Sequence, residues 1–151
     1  MNIDQQAPLK ARKEILIEVP ANKVWSLLTD INHWPEWQSA VAYAEIQGNL
    51  AVGTAFRWKA MGLNISSVIR ELEPEKAIVW TGKSLGMTAI HQWKLEPVGD
   101  DTRVITTESL SGWFPKMLKL LSPAFLDKSL DNSLLVLKSK AERMGVKYYE
   151  F

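Results

Sequence analysis

His91 and Glu108 are the two side chains of this sequence best suited to exchange a proton. Histidine changes charge near neutral pH, and a carboxylate held beside it can act as its acid/base partner. A hairpin brings them together. Met87–Glu96 and Thr102–Leu110 both alternate apolar and polar residues, and Pro97-Val98-Gly99-Asp100-Asp101 between them carries turn chemistry. A turn centred between Gly99 and Asp100 sets Leu95 opposite Val104, Trp93 opposite Thr106 and His91 opposite Glu108. All six then share one face, and Gln92, Lys94, Arg103 and Thr107 take the other. Two readings stay open for the pair. It is a structural cross-strand contact, with His91 offsetting the cost of burying a carboxylate, or it is an acid/base pair in a dry pocket.

Other chemistry finds little support. The second histidine, His33, lies far from His91, next to the Trp34-Pro35 bend, and reads as a surface residue. Two separated histidines make no metal site, so no metal and no cofactor are expected. The sequence has no cysteine, which removes disulfides and thiol catalysis. No serine sits in a nucleophile elbow. There is no glycine-rich phosphate loop, and Gly82 and Gly86 are read as turn residues. Net charge is +1 with no cluster of Lys and Arg, so no nucleic-acid groove is expected. No apolar run reaches membrane-spanning length, and the polar N-terminus lacks a signal peptide's apolar core. A cytoplasmic protein with no integral membrane association is the expectation.

The elements that must position the pair follow from periodicity. Lys13–Val19 alternates as a strand, after a polar lead-in over residues 1–12. Pro20–Trp37 follows and is dense in tryptophan. Its Val24, Leu27, Leu28 and Ile31 fall on one helical face, Asn22 is a candidate N-cap, and Asp30 is a candidate cap for a second short turn. Trp25 and Leu28 are expected to plug one end of the sheet, and Trp34 and Trp37 to pin the exit into the next strand. Val41–Gln47, Thr54–Met61, Asn64–Leu72 and Ala77–Gly82 then alternate as strands between turn residues, ahead of the hairpin. From Trp113 the period becomes helical. Trp113-Phe114 before a proline reads as a packed hinge, an apolar lip, a membrane-touching surface or a dimer contact. Ser122 and Pro123 read as N-cap and first position of a long helix whose Leu126, Leu130, Leu134, Leu137, Ala141 and Met144 form one stripe, ending at Gly145. The expected fold class is α+β: a curved seven-stranded antiparallel sheet wrapped around a long C-terminal helix, with two short helices after the first strand. One domain over 1–151 is expected, its core about 12–145.

Turn arithmetic applied to the earlier strands sets Trp80 near Ile69, Ser67 near Trp58 and Ile69 near Phe56. The inner face then carries Phe56, Trp58, Ile65, Ser67, Ile69, Trp80, Met87, Ala89, His91, Trp93, Thr106 and Glu108. Seven tryptophans is a high count, and each indole N–H needs a partner when buried. Tryptophans on a concave face fill a core or line a ligand cavity.

V-W-S-L-L-T-D-I-N-H-W-P-E-W, the Ala89–Trp93 segment A-I-H-Q-W, the Glu108–Gly112 segment E-S-L-S-G and the Leu137–Glu142 segment L-K-S-K-A-E together resemble the START-like, helix-grip superfamily. The resemblance is to the SRPBCC group of polyketide cyclase/dehydrase and lipid-transport proteins, over about residues 12–145. It implies a helix-grip fold with a hydrophobic ligand held between sheet and long helix, in a carrier, a sensor or an aromatase/cyclase-type enzyme. It implies no shared catalytic set, only the cavity's location. The expected ligand-binding residues are Phe56, Trp58, Ser67, Ile69, Trp80, Met87, His91, Trp93, Thr106 and Glu108 from the sheet. Leu126, Leu130, Ser133 and Leu134 join them from the long helix, beside Phe125 and Ser129. His91 and Glu108 are the catalytic candidates. The expected partner is a hydrophobic small molecule, lipid-like or aromatic, bound by a monomer or homodimer.

Overall fold

Seven alternating segments need seven places in a sheet, and the computed structural model, which describes residues 1–149, supplies them in one antiparallel sheet. The strands are β1 (Leu9–Ile17), β2 (Val41–Ile46), β3 (Ala55–Ala60), β4 (Leu63–Glu73), β5 (Ala77–Ser84), β6 (Met87–Val98) and β7 (Asp101–Ser111). Their spatial order is β1-β7-β6-β5-β4-β3-β2. Helices α1 (Ala21–Thr29) and α2 (Trp34–Trp37), joined by a 3-10 turn over Ile31–His33, connect the two edge strands. α3 (Trp113–Leu121) leads into α4 (Phe125–Tyr149), the long helix. This is the helix-grip arrangement.

One apolar stripe fixes α4 to the sheet. Leu126, Leu130, Leu134, Leu137 and Ala141 are all buried, and each leucine removes apolar area from water worth roughly 1.5–3 kcal/mol. Polar clips hold the helix along β1. Lys138 Nζ donates to the Leu16 carbonyl at 2.8 Å, and the Glu18 N–H donates to Glu142 Oε2 at 2.9 Å. Nearer the start of α4, Lys13 lies 3.7 Å from Asp127 and 3.6 Å from Asp131.

The last hairpin has the expected register, with His91 opposite Glu108, Trp93 opposite Thr106 and Leu95 opposite Val104. Trp80 opposes Ile69, also as expected. Between β3 and β4 the register differs by two residues, Ser67 opposing Phe56 and Ile65 opposing Trp58. A two-residue shift keeps every side chain on its face, so the inner set is unchanged. A bulge between Ile69 and Glu71 bends β4.

Several boundaries depart from the sequence reading. β1 begins at Leu9, because Leu9 pairs with Leu110 and buries its side chain; residues 9–12 are strand, not lead-in. Neither Asn22 nor Asp30 caps with its side chain. Pro20 takes the N-cap position, its carbonyl accepting from the Lys23 and Val24 N–H groups, and Asp30 Oδ1 pairs with His33 Nδ1 at 2.7 Å instead. That bond keeps an exposed His33 pKa raised above its ordinary value. Ser122 closes α3, its N–H donating to the Leu118 carbonyl, and α4 starts at Phe125 after a turn through Pro123-Ala124. Nor does α4 end at Gly145, since its backbone stays helical to Tyr149; glycine ends a helix only where the chain adopts positive φ there. Gly82 belongs to strand β5 rather than to a turn.

Candidate functional site

The register places inner-face residues in rows that cross the strands, and two adjacent rows differ sharply in size. One runs Ser67, Gly82, Ala89, Leu110 across β4, β5, β6 and β7. Three of its four side chains are small. The next row runs Ile69, Trp80, His91, Glu108, and the one after that Leu72, Ile78, Trp93, Thr106. Large side chains fill the space beneath the helix in the second and third rows, and the small row leaves it empty.

The result is a cavity of about 380 Å³ between sheet and helix, within the size range of small-molecule sites. Ser67, Gly82 and Ala89 line its sheet side with Ile65, and Leu126, Ser129, Leu130 and Ser133 form its helix side. Gly82 adds no side-chain bulk there. A Cβ at this position would lie 3.3 Å from both Ile65 Cγ2 and Ser67 Oγ, and would take up cavity space. The cavity meets solvent where exposed lining residues gather: Ala40, Met61, Lys83, Ser122, Lys128 and Asn132.

Of the residues expected to line a ligand site, Trp58, Ser67, Trp80, Met87, His91 and Glu108 border this cavity from the sheet, and Leu126, Leu130 and Ser133 from the helix. Phe56, Ile69, Trp93, Thr106 and Leu134 do not. All five are buried: Ile69 stands one row beyond the empty one, Trp93 and Thr106 two rows beyond it, and Phe56, opposite Ser67 in the same row, packs against Trp34 and Trp80. The sequence reading took all inner-face residues as equivalent, although the face is divided along the strands. Ala60, Leu63, Gly82 and Leu110 were missed as lining residues. The signal that could have found them is the pairing of a glycine with an alanine and a serine on neighbouring inner-face positions.

Trp34 also departs from expectation. Rather than pinning the exit into β2, it sits at the centre of the aromatic core, with ring centroids 5.6 Å from Phe56, 5.3 Å from Trp58 and 5.6 Å from Trp80. Its indole N–H donates to the Leu28 carbonyl at 3.1 Å, so α1 orients it. Two of these rings, Trp58 and Trp80, border the cavity at its inner end.

At that end lies the polar pair. His91 is 6% exposed, with Nε2 2.8 Å from the Thr106 hydroxyl and its ring centroid 5.1 Å from those of Trp80 and Trp93. Nδ1 lies 3.3 Å from Glu108 Oε2, close but not aligned as a hydrogen bond, so Nδ1 is buried without a hydrogen-bond partner. The Glu108 side chain is 16% exposed and borders the cavity. Burial lowers the His91 pKa to about 3 and raises that of Glu108 to about 8. Both are therefore neutral at pH 7. In the tautomer protonated at Nε2, His91 donates to Thr106 and Nδ1 faces the protonated carboxyl as an acceptor; in the other, the Thr106 hydroxyl donates to Nε2. Glu108 is then a hydrogen-bond donor at the inner end of an apolar space. Among the described residues, no group of three or more His, Cys, Asp or Glu could hold a metal ion.

The sequence matches the family model described as polyketide cyclase / dehydrase and lipid transport over residues 8–142. The chain belongs to this family. Solved structures with the same fold include a hypothetical protein of Helicobacter pylori, 21% identical over 92% of this chain and 91% of that one, with a TM-score of 0.82. Another is the Zhui aromatase/cyclase of a Streptomyces species, 15% identical over 89% and 94% with a TM-score of 0.78. A START superfamily protein of Mycobacterium smegmatis is 15% identical over 89% and 98%, with a TM-score of 0.74. At such identities the likeness is one of fold. No curated protein matches the chain. No described helix is long and apolar enough to cross a membrane.

Proposed function

We propose that this protein binds a hydrophobic small molecule, lipid-like or aromatic, in the cavity between sheet and α4, as a carrier or sensor. The observation that carries the reading is the empty row. Ser67, Gly82 and Ala89 hold open a space that the neighbouring rows fill, and an apolar cavity of this size gains free energy when a ligand's apolar surface replaces it. Protonated Glu108 at the inner end selects a ligand with a neutral acceptor, such as a carbonyl or ether oxygen, at its leading tip. An anionic tip there would face a buried carboxyl and no cation.

The test is native mass spectrometry on gently purified protein, looking for a co-purifying molecule, with titration of fatty acyl and polyaromatic compounds followed by tryptophan emission. Trp58 and Trp80 border the cavity and report its occupancy. Ala89→Phe fills the empty row and should abolish both signals while the protein stays folded, its stability changed by less than about 2 kcal/mol because the added ring enters existing space. A broad panel that moves neither emission nor melting temperature in the wild type would sink the reading.

A second reading, an enzyme of the cyclase or dehydratase kind, is favoured by the position of Glu108. A carboxyl protonated at neutral pH beside an apolar cavity is poised as a general acid, with His91 as the group that shares its proton. In that case Glu108→Gln and His91→Ala both abolish turnover in folded protein. Turnover retained in either variant excludes the pair as the acid/base machinery.

A further inference from the structure

Exposed apolar side chains gather around the cavity's opening. Leu85 is 80% exposed, Trp113 58%, Leu120 84% and Leu121 75%, and Met61, itself a lining residue, 52%. The fold ties them into one surface. The Phe114 N–H donates to the Gly86 carbonyl at 3.1 Å, and the Trp113 indole lies directly against Gly86, where any Cβ would overlap it at 2.2 Å. Trp113 and Leu85 are therefore neighbours. Leu120 and Leu121 end α3 one step before Ser122, which lines the opening.

The segments that build this surface carry charge of one sign, although Asp4, which accepts from the Ser111 hydroxyl, stands at its edge. The segments 46–70, 76–95 and 109–126, which supply the β3–β4 turn, the β5–β6 turn and α3, contain no Asp or Glu. Lys59, Lys83, Lys116 and Lys119 are exposed on them. The whole chain carries a net charge of only +1, so its acidic residues are concentrated elsewhere.

We propose that this rim docks on an anionic lipid bilayer, Trp113, Leu85, Leu120 and Leu121 entering the interface and the lysines facing lipid phosphates. An amphipathic ring such as tryptophan favours that boundary, and basic side chains beside it gain from the negative surface potential. A second copy of the chain fits less well. A two-fold contact through this face would bring the lysines of both copies together, with no acidic residue on these segments to pair them. With the rim seated, the cavity opens toward the bilayer, which gives an apolar ligand a path that avoids water.

The experiment is co-sedimentation of the full chain with phosphatidylcholine vesicles, with and without phosphatidylserine. The wild type should pellet with the anionic vesicles, release on raising salt, and show a blue shift in tryptophan emission. Lys116→Glu/Lys119→Glu and Leu120→Glu/Leu121→Glu should each weaken that binding by about tenfold or more. Leu135→Glu, on an exposed part of α4, should not. Circular dichroism establishes that each variant is folded, and the lysine pair decides if the leucine pair is not. The proposal is overturned if the wild type ignores anionic vesicles or binds neutral ones equally. It also falls if folded variants bind unchanged, or if sizing shows a dimer that Leu120→Glu/Leu121→Glu dissolves. Vesicle binding needs no ligand, so a protein that docks yet holds no small molecule retains this proposal and loses the ligand reading.

Discussion

α4 lies over two kinds of ground. Its later half, through Leu134, Leu137 and Ala141, packs on a continuous core that includes Trp25, Trp34, Phe56, Trp80 and Trp93. Its earlier half, through Leu126 and Leu130, belongs to a separate small cluster with Leu9 and Leu110. The cavity lies between the two clusters. The same helix, the same leucine spacing and the same sheet therefore give a packed end and an open end. The difference comes from the residues beneath: tryptophan, isoleucine and phenylalanine in one place, serine, glycine and alanine in the other. Stability and binding capacity are thus assigned to different ends of one structure, and substitutions can separate them.

Trp34→Ala should have the largest effect. The indole is nearly inaccessible and contacts three aromatic rings and the Leu28 carbonyl. Its removal should cost about 3–5 kcal/mol in urea unfolding. A loss below about 1 kcal/mol would mean that the packed end is not where stability resides. Leu137 and Leu126 provide a sharper comparison, since both are buried leucines of one helix. Leu137→Ala should cost about 2–5 kcal/mol. Leu126→Ala should cost less than half as much, because the Leu126 side chain borders an existing void and has fewer contacts to lose. Equal losses would break the division of the core.

The polar pair predicts a pH profile. Glu108 is raised from 4.5 to about 8 in the fold, so its carboxyl loses its proton first in the unfolded chain, and stability falls as pH rises from about 4.5 to 8. His91 is lowered from 6.5 to about 3, so the unfolded chain gains its proton first, and stability falls as pH drops from about 6.5 to 3. Between pH 4.5 and 6.5 the two slopes oppose and largely cancel. Denaturant unfolding should therefore give a plateau across that interval, with stability declining on both sides by at most about 1.4 kcal/mol per pH unit. Glu108→Gln should abolish the alkaline decline and leave the acid one. A decline above pH 6.5 that persists in Glu108→Gln would show that another group causes it and that Glu108 is not the source of the alkaline slope.

Much of this was legible in the sequence. Alternation and turn chemistry located seven strands, and the Gly99-Asp100 turn set the His91–Glu108 pairing because a two-residue hairpin leaves no freedom of register. The stripe on α4 was legible because period and charge agree. Position along the inner face was not. Alternation tells which face a residue takes but not how its side chain packs once there: Trp93 stands two rows from the empty one, and Phe56, in the Ser67 row, packs on Trp34 and Trp80. Trp34 escaped for a related reason. Its place depends on the crossing of α1 over the sheet, a long-range geometry that a local period does not contain. The caps at Asn22 and Ser122 failed because a neighbouring backbone carbonyl or turn took up the groups that those side chains would have bonded.

The smallest expected effect concerns how the open end is held. At the packed end, Lys138 and Glu142 bond to β1 backbone groups or to the loop just after that strand. At the open end Lys13 reaches Asp127 and Asp131 only through partly exposed ion pairs. Exposed pairs contribute little, and salt screens them. Lys13→Ala should therefore lower stability by only about 0.2–1 kcal/mol, an effect that shrinks as salt is added. Its mark should be local. Amide hydrogen exchange near Leu126 and Leu130 should quicken, while that near Leu137 stays unchanged, because the first turns of α4 rest beside a void and open without disturbing the aromatic core. Equal quickening along the whole helix would mean that α4 opens as one rigid unit, and that its two halves differ in packing but not in stability.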